Sequence, residues 1–117
     1  MIEEQSMLTN GGMDMKYHFR AGRGKNVTIN EDETFETLGF MILEAYEIFP
    51  DHLFMFEFAD GDCTDSACPL GPMHDGLGNV PIETKIKDRH MEIGEEMRFV
   101  YDYSSDWSRR VKLIKKL

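Results

Sequence analysis

This sequence predicts an α+β domain, a mixed sheet crossed by one helix, and three observations predict it. Residues 97–117 alternate on both sides of a turn. Phe99, Tyr101 and Tyr103 share one side of an extended chain and Arg98, Val100 and Asp102 the other; Ser104, Ser105 and Asp106 supply the turn; Val111 and Leu113 then oppose Arg110 and Lys112. Residues 15–30 repeat the pattern around a glycine turn. Between the two, apolar residues recur at three- and four-residue steps over 34–49, the spacing of one buried helical face.

Residues 1–14 have no period and contain Asn10-Gly11-Gly12, so a loose leader is expected there, ahead of one domain over 15–117. Met15, Tyr17 and Phe19 then face one way and Lys16, His18 and Arg20 the other. Gly22-Arg23-Gly24-Lys25 makes a turn, and 26–30 supplies a short Val/Ile/Thr strand that closes a first hairpin. Thr34 can accept from free backbone N–H groups, and Glu31, Asp32 and Glu33 suit the positive end of a helix dipole. The helix expected over 34–49 buries Phe35, Leu38, Ile42, Ala45, Tyr46 and Phe49, with Phe40, Met41 and Leu43 widening that face and Pro50 ending it. Gly39 costs roughly 1 kcal/mol against alanine in mid-helix, which points to close packing on the sheet. Residues 53–59 alternate as a strand, with Phe54, Phe56 and Phe58 on one face. A loop over 60–78 follows, long enough to suggest a binding or mobile element. Residues 80–86 read as a short extended piece and Glu92-Ile93-Gly94-Glu95 as the turn into the closing hairpin. The order is ββαβ-loop-βββ, an arrangement like a β-grasp.

Charge is unevenly laid out. The net charge is −9, yet 26–84 holds no Lys or Arg and 13 acids, while the bases lie in the flanks. If the first and last strands are neighbours in space, the molecule has a basic side and an acidic side, and a solubilising acidic face is the plainer reading of the acids. The overall sign argues against generic nucleic-acid binding, which neutralises phosphates with Lys and Arg. Arg109, Arg110, Lys112, Lys115 and Lys116 fall on alternating sides of one strand, so the basic patch is expected to be divided between two faces. No stretch approaches the roughly 18 to 20 apolar residues of a membrane span. The acidic amino-terminal residues do not suit a signal peptide, so a cytoplasmic location without a membrane is expected, with Cys63 and Cys68 as thiols.

Candidate chemistry is sparse. Cys63, Cys68 and His74 form the one set with metal-ligand character, for zinc or iron, and Asp62 or Asp65 could complete it. Closed sites bring together two cysteine pairs, and only one pair exists here, at wider spacing; ordinary loop thiols are the plainer reading, and no cofactor is expected. Asp60, Asp62 and Asp65 lack the later bidentate Glu of a calcium loop. His18, His52, His74 and His90 lie in separate segments, no nucleophile elbow occurs, and Gly22-x-Gly24 is too short for a phosphate loop and leads into a strand. Tyr101, Tyr103 and Trp107 could stack on bases, but Tyr103 and Trp107 read more simply as core.

The run Tyr101-Asp102-Tyr103-Ser104-Ser105-Asp106-Trp107 resembles the aromatic-Asp-Phe-Gly-Asp-x-Trp signature of the plasmid pRiA-type ORF-three-like family, also carried as passengers in insertion elements. The segment 92–99 is similar to its turn glycine and following strand, and Pro50-Asp51-His52-Leu53-Phe54 to its His-Leu-His-x-Phe segment. Ser104 and Ser105 replace Gly and Asp, Phe54 replaces the second His, and Arg109 stands where a His commonly follows the Trp. The resemblance implies an α+β domain and marks His52, Tyr101, Asp102 and Arg109 as candidate binding residues. It implies no reaction, and raises a DNA-associated partner. The expectation is therefore a non-catalytic binding or adaptor domain that uses its acidic face or the long loop to take a protein or a small ligand. The alternatives are a metal-dependent enzyme or its degenerate descendant using the Cys63/Cys68/His74 loop, and an accessory of mobile DNA.

Overall fold

A computed structural model describes residues 15–67 and 78–117; the expected leader over 1–14, and Cys68 and His74, lie outside the described residues. Five strands form one sheet: β1 (Lys16–Ala21), β2 (Lys25–Asn30), β3 (Phe54–Phe58), β4 (Glu96–Tyr101) and β5 (Trp107–Lys116). Helix α1 (Phe35–Ala45) crosses between β2 and β3. The strand order is β2-β1-β5-β4-β3. All four strand pairs are antiparallel, so the expected mixed sheet gives way to an antiparallel one. The pairing of β1 with β5 puts the two hairpins side by side.

Alternation sorts the sheet into two faces. Phe19, Phe56, Phe99, Val111 and Leu113 are fully buried on the face that α1 covers. Arg20, Arg98, Arg110 and Lys112 are exposed on the other. Phe35 of α1 sets its ring edge-on to Phe56 and Phe58, with centroids 5.6 and 5.2 Å apart. Each such buried phenylalanine stabilises the fold by roughly 1.5–3 kcal/mol relative to exposure. Gly39 is the point of closest approach: a Cβ there would lie 2.2 Å from Phe54 Cε1. The helix therefore rests on the β3 ring through a missing side chain.

Thr34 starts the helix by accepting from the Thr37 N–H at 3.2 Å. The helix stops four residues before the expected Phe49. Glu47 adopts a left-handed backbone (φ 57), the Ile48 N–H reaches the Leu43 carbonyl and the Glu47 N–H reaches the Glu44 carbonyl. This paired closure satisfies the terminal carbonyls and turns the chain before Pro50 can act. Phe49 thus leaves the core and is 74% exposed.

Two further expectations change. The extended piece over 80–86 is not a strand; Val80 makes an isolated bridge to Thr64, and a 3-10 turn spans Ile86–Arg89. Its backbone instead serves the helix start: the Thr84 and Ile82 carbonyls accept from the Phe35 and Glu36 N–H groups that α1 leaves without internal partners. The early part of the long loop is ordered against β3. Ala67 and Cys63 bridge Phe54 and Glu57, covering an edge that would otherwise expose unpaired backbone. Among the described residues no helix is long and apolar enough to cross a membrane.

Candidate functional site

Two clusters gather at neighbouring parts of the sheet. The first collects three of the residues marked in the sequence. His52, on the segment after α1, lies with Nε2 3.4 Å from Asp51 Oδ1 and Nδ1 3.7 Å from Asp102 Oδ1. Its ring stands edge-on to Tyr101, centroids 5.7 Å apart. Tyr101 is buried, and its hydroxyl accepts from the Asp51 N–H at 3.1 Å and donates toward the Phe49 carbonyl at 2.8 Å and Asp51 Oδ1 at 2.9 Å. Burial pushes the Tyr101 hydroxyl above its ordinary value, so it stays protonated. Asp102 is held below the usual carboxylate range by hydrogen bonds from Ser105 and Ser104, with the His52 charge as a lesser cause. Ser104 and Ser105 thus do polar work within the closing turn, where Asp102 and Asp106 have left-handed backbones (φ 56 and 59). This cluster ties the segment after the helix to the turn between β4 and β5. His52 is half exposed and no Ser or Cys nucleophile is paired with it among the described residues.

Arg109 belongs to the second cluster. Trp107 joins the two, with its ring 6.1 Å from Tyr101 on one side and 5.3 Å from Tyr46 on the other. Trp107 is only partly buried, and Tyr103 is 41% exposed, its hydroxyl bonded to Ser66; Tyr103 is therefore not core. The guanidinium of Arg109 lies 4.1 Å from the Trp107 ring centre and 5.2 Å from that of Tyr46. Its Nη1 donates to the Ser108 carbonyl at 2.7 Å. Those contacts hold the guanidinium against the two rings and, among the described residues, leave its other N–H groups without an acceptor.

Arg109 is on the helix side of β5 and Arg110 on the open side, so strand alternation alone would separate them. The sheet ends there. Gly22 follows β1, its N–H donating to the Arg110 carbonyl at 2.7 Å, and the last turn of α1 brings Tyr46 over the end. A Cβ at Gly22 would lie 2.1 Å from the Tyr46 hydroxyl and 3.1 Å from Arg109 Cδ. Glycine also suits its φ of 66. The Tyr46 hydroxyl uses this gap to donate to the Ala21 carbonyl at 2.8 Å. Around the end of the sheet a groove of about 630 Å³ opens, lined by Arg20, Gly22, Arg23, Tyr46, Glu96, Arg109, Arg110 and Lys112. The expected division of the basic patch gives way here for Arg109, Arg110 and Lys112, whose side chains meet around a glycine from both faces, while Lys115 and Lys116 lie outside the groove and Lys116 sits over the Tyr17 ring.

Glu96 is the one acid of the lining and lies 3.5 Å from Arg110. Arg20, Arg23 and Lys112 have no ion-pair partner among the described residues. Beyond Arg110 the open face becomes neutral, since Arg98 pairs with Glu57 at 3.0 Å. The positive region therefore ends toward β4. Like charges brought this close repel one another, and an anion held between them would relieve the repulsion.

The loop carboxylates have structural partners. Arg89 donates to Asp60 and Asp62, each at 3.1 Å, and covers the Phe58 ring at 4.0 Å. Asp62 is held low by hydrogen bonds from Asn79 and Arg89. Asp65 accepts from the Ile82 N–H at 2.6 Å. Cys63 is a half-buried free thiol, and no group of three or more metal-ligating side chains forms among the described residues.

Sequence reasoning had noted Arg20, Arg110 and Lys112 as charges but missed Arg23, Tyr46 and Glu96 as members of one site. The signal that could have found it was Gly22 beside a strand end, a position where backbone and side chains approach closely. No family model and no curated protein matches the chain. Among solved structures, the chain is similar to a crystal structure of a protein of unknown function from Methanosarcina mazei Go1, with a TM-score of 0.69 and 24% identity. The match covers 89% of this chain and 62% of that one, so the chain spans under two thirds of its neighbour's length. The likeness is one of fold.

Proposed function

We propose that this chain is a non-catalytic binding domain whose ligand-accepting element is the groove at the end of the sheet, and that its ligand is anionic. The observation that carries this is the convergence of five cationic side chains on one open groove in a chain of net charge −9. A protein that avoids positive charge overall, yet concentrates it where a glycine opens the surface, has a local field of the opposite sign to its global one. His52, Tyr101 and Asp102 then support the site rather than react, by holding Trp107's hairpin against the end of the helix. The helix across one sheet face agrees with a β-grasp-like arrangement, while the antiparallel β1–β5 pair departs from it.

Retention on a phosphocellulose matrix, which presents separate phosphate groups, tests the proposal. The wild-type protein should be held at about 50 mM salt and released by about 200 mM, as counterions displace it. An Arg20→Ala/Arg110→Ala/Lys112→Ala variant, altered only at exposed side chains, should pass through. Flow-through of the wild type, or equal retention of the variant, would overturn the reading.

A further inference from the structure

We infer that the groove takes a nucleoside di- or triphosphate, with the phosphates on the arginines and the nucleoside against Tyr46; this rests on the anionic-ligand reading above. Three features select this class. Four of the five cations are arginines, whose planar forks match phosphate oxygens, and Arg109 already rests 4.1 Å from the Trp107 ring centre before any ligand arrives. Two or more phosphate groups bring enough charge for Arg20, Arg23 and Lys112, which have no protein partner among the described residues; a single carboxylate would not.

The second feature is size. About 630 Å³ lies within the range of small-molecule sites and exceeds what bare phosphates fill. The part of the Tyr46 ring left beside Arg109 and Lys25, whose charged ends lie 5.2 and 5.7 Å from its centre, and the methylene stems of the arginines supply an apolar wall for the remainder.

The third is length. Toward β4 the Glu57–Arg98 pair and the Glu96 carboxylate end the cation run, so a polynucleotide leaving the groove on that side would meet compensated or acidic surface. A short ligand avoids that surface.

The sole tryptophan reports on the site, because Arg109 lies on its ring. Titrating pyrophosphate at physiological salt should change Trp107 fluorescence saturably, and calorimetry should show ATP or ADP binding more tightly than pyrophosphate, with adenosine alone not binding. Arg110→Ala and Lys112→Ala should each weaken ATP binding by about tenfold, the worth of one charge-assisted contact, without moving the urea midpoint. Arg109→Lys keeps the charge and loses the fork, and should weaken binding comparably. Equal affinity for pyrophosphate and ATP would overturn the nucleoside part. Phosphocellulose retention that depends on the three exposed cations, together with silence toward both phosphate ligands, would overturn this inference and leave the anionic reading standing. Loss of both would overturn the two together.

Discussion

Alanine at Gly39 sets two energies of opposite sign against each other, and the structure decides between them. In an exposed helix interior, Gly→Ala stabilises by about 1 kcal/mol. At Gly39 the new Cβ would sit 2.2, 2.6 and 2.8 Å from three atoms of the Phe54 ring, where ordinary contact begins at 3.4 Å. The ring would have to retreat by about 1 Å. It has nowhere to go, being fully buried between Phe40 and Phe99 at 5.2 and 5.4 Å. Overpacking of this kind costs about 1–3 kcal/mol, and a clash with a ring penned on both sides belongs at the upper end. With the propensity gain subtracted, Gly39→Ala should destabilise by about 2 kcal/mol, or roughly 8–16 °C in Tm for a domain of this size. Urea unfolding followed by Trp107 fluorescence measures it, and the slope should not change. Adding Phe54→Leu should restore part of the loss and show a coupling between the two sites. Gly24→Ala is the companion control, because no atom lies within 4 Å and only its φ of 72 opposes the change. A Gly39→Ala protein as stable as wild type would refute the claim that the helix rests on Phe54.

Trp107 packs against Tyr46, Phe99 and Tyr101 but keeps an exposed edge, so Trp107→Ala should cost about 2–3 kcal/mol, below the full 3–5 of a buried aromatic; chemical denaturation followed by circular dichroism gives the number. Tyr101→Phe removes a hydroxyl that is bonded to Asp51 and Phe49 and should cost about 1–2 kcal/mol. The raised Tyr101 pKa means the fold favours the protonated phenol. That stabilisation is fully present below the unfolded value of 10.0 and is lost as pH rises through the folded value. A wild-type midpoint that falls in alkali more steeply than that of Tyr101→Phe is the expected result.

What was legible in the chain was everything that depends on neighbours in sequence. The first and closing hairpins follow from alternation and turn residues, and the start of α1 follows from Thr34. Gly39 could be read as a packing contact because a helix-weakening residue in an apolar stripe needs a reason. The end of the helix was not legible at Pro50, since the left-handed Glu47 and its two closing hydrogen bonds act earlier. Phe49 fits the helical period and still lies in water. The short stretch after the long loop resembles a strand, but its carbonyls are claimed by the N–H groups of the first turn of α1. Tyr103 continues the alternation of β4, yet the turn begins at Asp102 and carries it outward.

The groove depended on tertiary structure alone. Arg20 and Arg23, Tyr46, Glu96, and Arg109 through Lys112 come from four separate stretches of chain. The sequence by itself determined an acidic protein with its bases in two flanks, and the hairpins that hold them. The tertiary structure decided that β1 pairs with β5, which brings those flanks together. It also placed Gly22 and Tyr46 where side chains from opposite faces of a strand can meet. Strand period assigns a residue to a face, and only at the end of a sheet, with no side chain in the way, do two faces share one opening.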